Sequence, residues 1–100
     1  MTQYLIATSV LETIVRGSLA NDGRLRVHTP LPLMRTHPVE IAVDGGHCHV
    51  SVQLDARMGE QLPSLASSIR RTISDALGSM TGLQVTAVDV AFCGVFPAGV

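Results

Sequence analysis

The chain has no lysine and no tryptophan, one tyrosine, two phenylalanines and two cysteines, and only 15% of its 100 residues are charged. Each shortage excludes something. An aromatic content of 3% leaves too few rings for the stacking platform of a single-strand nucleic-acid module. Seven basic residues against eight acidic ones, a net charge of -1, exert no general pull on a polyanion or an anionic bilayer. Nucleic acid is therefore not an expected partner. Two cysteines are not a disulfide framework, and 46% apolar residues suffice for one core, so one domain in a reducing cytoplasm is expected. The opening MTQYLIATSVLETIVRG lacks a basic leading segment and carries Glu12 within its apolar part, unlike a secretory signal. Residues 83–100 are apolar, yet Asp89 at their middle would cost about 2.5–3.5 kcal/mol in a bilayer. Alternation and Pro97 favour a strand and a tail there. No repeat or low-complexity segment is present.

The clearest periodicity lies in 63–83. Leu65, Ile69, Ile73, Ala76, Leu77 and Met80 recur at steps of three and four, which predicts one apolar stripe on a helix. Pro63 suits the first helical position and Gly82 the left-handed residue past the end. A first helix is predicted from Ser9, whose spacing to Glu12 is that of a capping box, with Val10, Leu11, Ile14, Val15 and Leu19 on its apolar face and Asn21, Asp22 and Gly23 as its stop.

Alternation predicts a short strand over 24–29. Pro30, Pro32 and Pro38 then make a loop, because each removes a ladder donor. Leu31, Leu33 and Met34 make this loop apolar. They are either a partner-binding patch or a loop folded over the core, and the ordinariness of scattered apolar surface favours the second. Val39, Ile41 and Val43, then Cys48, Val50, Val52, Leu54 and Ala56, alternate with polar or small residues on either side of Asp44-Gly45-Gly46, which predicts a β-hairpin. Asp-Gly is the stronger turn signal and would set Glu40 opposite His49. A Gly45-Gly46 turn would set Asp44 opposite His47 instead. Val88, Val90 and Phe92 continue the buried face in a last strand. Val85 is out of phase with them, suggesting a bulge or a strand that starts after Thr86 and Ala87. A right-handed crossover joins this strand to the hairpin, either beside its second strand or outside its first. The expected fold is a two-layer α+β domain over 1–95, a small mixed β-sheet with helices packed on one face, followed by a disordered tail over 96–100.

The run HVSVQLDA, the Leu62-Pro63 helix start, and Met80, Thr81, Gly82, Leu83, Val85, Val88 and Val90 together resemble the alkaline-shock-protein family of small bacterial proteins linked to cell-envelope stress. The resemblance covers the C-terminal half well and SVLETIVRGSLANDG more loosely. The chain departs from it in Arg57-Met58-Gly59-Glu60-Gln61, where the family has an aromatic-Gly-Val stretch, and in the proline-rich loop. The resemblance implies a non-enzymatic, cytoplasmic protein at most peripheral to the inner face of the membrane. It implies action by self-assembly, as a homo-oligomer, or through a membrane-anchored protein partner, with membrane contact only indirect. It brings no catalytic residues.

The local chemistry adds one alternative, a small metal- or ligand-binding domain using the His-rich hairpin and open sheet face. His47 and His49 point one way on a strand and Cys48 the other, so a metal needs Glu40, Asp55, His28 or His37 as well. Fewer than three ligands converge on that count, and neither a metal nor a cofactor is expected. Cys48 should face the core and Cys93 the opposite side, which predicts no bridge. Spacing places no His beside Cys93, so nucleophilic catalysis is not expected. Arg71 is expected to pair with Asp75 four residues on, leaving Arg70-Arg71 a weak patch.

Overall fold

A computed structural model of the chain describes residues 6–30 and 37–98. Its elements in order are α1 (Thr8–Leu19), β1 (Leu25–Val27), β2 (Val39–Asp44), β3 (His47–Arg57), α2 (Leu62–Thr81) and β4 (Gln84–Phe96). β3 is the axis of the sheet. β4 lies parallel along one side of it, which decides the strand order that alternation leaves open. On the other side β1 and β2 lie end to end, both antiparallel to β3, with Val27 opposite Leu54 and Val39 opposite Val52.

The alternation of β3 puts Cys48, Val50, Val52, Leu54 and Ala56 on one face, all buried. Both helices cover that face, with Leu11, Val15 and Leu19 from α1 and Leu65, Ile69, Ile73 and Leu77 from α2 completing the core. The opposite face carries His47, His49, Ser51, Gln53, Asp55 and Arg57, none of them buried. The fold is thus the expected two-layer α+β arrangement with a mixed sheet.

α2 starts with Leu62 and Pro63 after Gln61 and stops at Gly82, whose φ of 75° is left-handed. Its stripe departs from expectation at the last turn. Met80 is 70% exposed, and Thr81 is buried in its place because its hydroxyl can donate to the Leu77 carbonyl and accept from the Leu83 N–H. A thioether has no comparable partner to meet there. In α1 the capping box does not form. The helix already includes Thr8 and caps on Ala7, so Ser9 lies inside the first turn, too late to act as the cap, and its carbonyl accepts from the Thr13 hydroxyl.

The hairpin turns on Gly45-Gly46, with Asp44 opposite His47 and Glu40 opposite Ser51, which corrects the Asp44-Gly45 choice. Both turn residues have positive φ, 57° and 84°, and glycine bears no Cβ penalty at either place. β4 begins at Gln84, not after Ala87. It carries a bulge at Thr86, where Cys48 pairs with Val85 and His49 with Ala87, and the Thr86 hydroxyl donates to the Cys48 carbonyl. A second bulge falls at Cys93, between the pairs Leu54–Phe92 and Asp55–Gly94. Phe96 belongs to the strand and not to a tail, since its carbonyl accepts the Met58 N–H at 2.8 Å. Residues 99 and 100 lie outside the described residues.

The turn between α1 and β1 is held by Asp22, which accepts the Arg24 backbone N–H and both Nε and Nη2 of its guanidinium, while Nη2 also reaches the Ser68 hydroxyl on α2. These bonds hold the Asp22 carboxyl below its ordinary value, chiefly through the side-chain bond to Arg24. A group depressed in the folded state stabilises fully above its unfolded value and loses that contribution as pH falls through the folded one. Asp22→Asn should therefore cost about 1 kcal/mol at neutral pH, with the difference from wild type closing below about pH 4. Urea midpoints at pH 7 and pH 3 read both numbers, and an equal gap at the two values would contradict the assignment.

Candidate functional site

The sheet register scatters the residues considered for a metal. His47 stands opposite Asp44 and bonds the Gly45 carbonyl at 3.2 Å, whereas His49 stands opposite Ala42 and its Nε2 meets Asp89 at 2.6 Å. Glu40 faces Ser51. Asp55 faces Arg26 and bonds His28 Nδ1 at 2.8 Å. His49 and Asp55 are six strand positions apart, about 20 Å at a strand's rise, so the two His–Asp pairs cannot share an ion. Among the described residues no three His, Cys, Asp or Glu side chains gather as a ligand set.

The His28–Asp55 pair has a structural setting instead. His28 ends the pairing of β1, and its N–H donates to the Gln53 carbonyl at 2.9 Å, while the Gln53 N–H donates to the Pro38 carbonyl at 2.7 Å. The chain therefore leaves the sheet and returns to it at one residue of β3. Leu31, Leu33 and Met34, the partner-binding candidates of the intervening loop, lie outside the described residues. Asp55 is accommodated by Gly94 across the ladder, because a Cβ at that position would come within 2.9 Å of its Oδ1. Beside it the Arg26 guanidinium stacks over the Phe96 ring at 3.9 Å. That contact joins the two outer strands across β3.

Both cysteines are free thiols. Burial pushes the Cys48 thiol up, away from the thiolate that reacts. Cys93 is exposed at its bulge. The expected Arg71–Asp75 pair does not form; the ion pairs among the described residues are Asp22–Arg24 and Arg57–Glu60, beside the His28–Asp55 and His49–Asp89 hydrogen-bonded pairs. Arg70 points elsewhere and donates its Nε–H to the Val88 carbonyl of β4 at 3.1 Å. A cleft of about 440 Å³ lies where the start of α1 meets the hairpin tip, lined by Ile6, Leu11, Val43, Gly46, Thr81, Gly82 and Leu83, without a titratable side chain among them.

The feature with chemistry to offer is the outer edge of β4. Among the described residues this 13-residue strand has a ladder partner on one side only. Its sequence, QVTAVDVAFCGVF, contains a single charge, Asp89, and no Lys, Arg, Glu or Pro, the devices that ordinarily keep an edge from pairing. Which groups the edge presents follows from the ladder. The Gln84 N–H donates to the Gly46 carbonyl and the Phe96 carbonyl accepts from Met58, so both end residues turn toward β3. Each bulge shifts the alternation by one. Between them Ala87, Asp89 and Ala91 therefore face β3, and Val88, Val90 and Phe92 turn their N–H and C=O outward. The bond from Arg70 to the Val88 carbonyl agrees with this count. Sequence reasoning could not place this edge, because which strand lies outermost depends on where β4 pairs.

No helix among the described residues is long and apolar enough to cross a membrane. Comparison of the chain with protein-family models, with curated proteins and with solved structures finds no match.

Proposed function

We propose that this chain is a non-enzymatic bacterial protein-binding domain that works by adding a strand to the outer edge of β4, either from another copy or from a membrane-anchored protein. The observation that carries this reading is the edge itself, long, nearly uncharged and turning N–H and C=O groups outward at Val88, Val90 and Phe92, with the Val88 carbonyl held by the Arg70 side chain. Main-chain pairing supplies affinity in such a contact, and the flanking side chains supply selectivity. The resemblance to alkaline-shock proteins supports a role in cell-envelope stress, in the cytoplasm or at the inner face of the membrane through the partner. The alternative of a metal held by the His-rich hairpin gains nothing from the register that separates His47, His49 and Asp55.

The test is sedimentation of the full chain over a wide concentration range, beside the variant Val90→Pro. Proline at an edge position removes an outward N–H and leaves the inner ladder whole. The wild type should gain mass with concentration and the variant should stay monomeric. A wild type that remains monomeric and binds no envelope-fraction protein dependent on Val90 would count against the reading.

A further inference from the structure

We infer that the occupant of the β4 edge is the β4 of a second copy, antiparallel about a two-fold axis at Val90, and that Arg70 is the guard it displaces. The inference rests on the reading of β4 as the contact, and goes beyond it in naming partner, register and control. Closed two-fold pairs use the same patch twice, so the strand must be complementary to itself.

Face and charge select the register. Directly opposed residues in an antiparallel pair share a face, so a two-fold must place its axis on a residue whose neighbours match in kind. An axis between two residues of the regular run 87–92 would set the open-face Ala87 against the core-face Phe92. Of the two central residues on which the axis can instead fall, Asp89 would oppose Asp89 of the second copy, two like charges about 5 Å apart. Centring on Val90 sets Val88 against Phe92, Val90 against itself and Asp89 against Ala91. The core-facing row then becomes Val-Val-Phe against Phe-Val-Val, and each carboxylate meets a methyl group. The outward-turned residues Val88, Val90 and Phe92 are also the ones brought into hydrogen-bonded opposition, so the ladder and the side chains agree on one solution.

Arg70 stands in its way. Its guanidinium reaches from α2 to the Val88 carbonyl, an acceptor that the Phe92 N–H of the second copy needs in this register. The free edge is thereby blocked at one of its three outward carbonyls in the regular run. Assembly must move one flexible side chain on each copy, which makes the edge reluctant without making it closed. An arginine so placed also supplies a gatekeeper to a strand that has Asp89 as its one charge and no proline.

Two measurements on the full chain test this. In a Cys93→Ser background, Asp89→Cys and Ala91→Cys are oxidised separately and as an equal mixture. Opposed residues 89 and 91 lie about 4.5 Å apart between Cα atoms in the narrow pair, within disulfide reach, whereas each residue is offset from its own symmetry mate. The mixture should give a cross-linked dimer and the separate proteins little. Arg70→Ala, an exposed position whose fold is checked by circular dichroism, should tighten self-association about a hundredfold, the size of the two charged hydrogen bonds that the pair must otherwise release, one on each copy. A cross-link in Asp89→Cys alone, or none in the mixture, overturns the register, and an Arg70→Ala affinity equal to or below wild type overturns the guard. If assembly still fails in Val90→Pro, those results leave the edge itself standing as the contact; if assembly ignores Val90→Pro, both readings fall.

Discussion

Leu77→Ala is expected to lower the unfolding free energy by about 2–5 kcal/mol. Leu77 has no exposed surface and sits in the last full turn of α2, where the helix closes the core over β3 and β4. Truncation removes three carbon atoms from a site that α1, the sheet and α2 enclose together, so neighbours can fill the void only by shifting backbone. A domain of this size holds about 5–15 kcal/mol in total, which makes the loss a large fraction of it. Met80→Ala provides the contrast on the same helix. At 70% exposure its truncation should stay within about 0.5 kcal/mol. Urea titrations of the two variants should separate widely, and coincident midpoints would mean that the core is not where the stripe of α2 places it.

The second large effect belongs to adjacent positions of β4. Ala91→Pro is expected to cost about 3 kcal/mol or more, because it removes an N–H that faces β3, leaves a carbonyl of the central strand without its donor and imposes ring sterics inside the ladder. Val90→Pro should keep most of the stability, since the N–H it deletes points outward. The two substitutions are one residue apart and introduce the same ring, so its fixed φ is common to both, and the packing lost with the half-buried Val90 works against the expected order. Equal destabilisation would show that the alternation between the bulges at Thr86 and Cys93 runs the other way. Thermal unfolding at a concentration where the wild type is monomeric keeps assembly out of the result.

How far these features were legible in the sequence depended on the range of the interaction that fixes each. α2 was bounded to within one residue, starting at Leu62 where Pro63 was expected and ending at Gly82 as expected, because Pro63 and Gly82 act within one helical turn of themselves. The buried row of β3 was legible because alternation is a property of a single strand, whereas in β2 only Val39 is buried and Val43, beside the turn, is 48% exposed. The turn was not legible, since moving it from Asp44-Gly45 to Gly45-Gly46 keeps core residues opposite core residues and leaves the choice to local backbone conformation. The first bulge of β4 showed itself as a three-residue step from Val85 to Val88 on one face. The same step from Phe92 to Val95, opposite Leu54 and Ala56, marks the second. Arg70 at Val88, and Asp55 between His28 and Gly94, were beyond reach because they join elements whose adjacency exists only once β4 has paired with β3.

The meeting of β1 and β2 at Gln53 bears on how this chain tolerates change in length. Val27 pairs with Leu54 and Val39 with Val52, so 28–38 occupies the place of one residue in an otherwise continuous outer strand. Main-chain bonds from Gln53 to His28 and Pro38 hold both ends of that detour at a single point. Adding or removing residues inside it shifts no strand relative to another, and doubling its length costs only about 0.6 kcal/mol of closure entropy. The detour is a natural insertion port. A guest peptide or a small domain whose own termini lie close together can be spliced there while the register on either side is preserved, and related chains can diverge in size at this place without rebuilding the sheet.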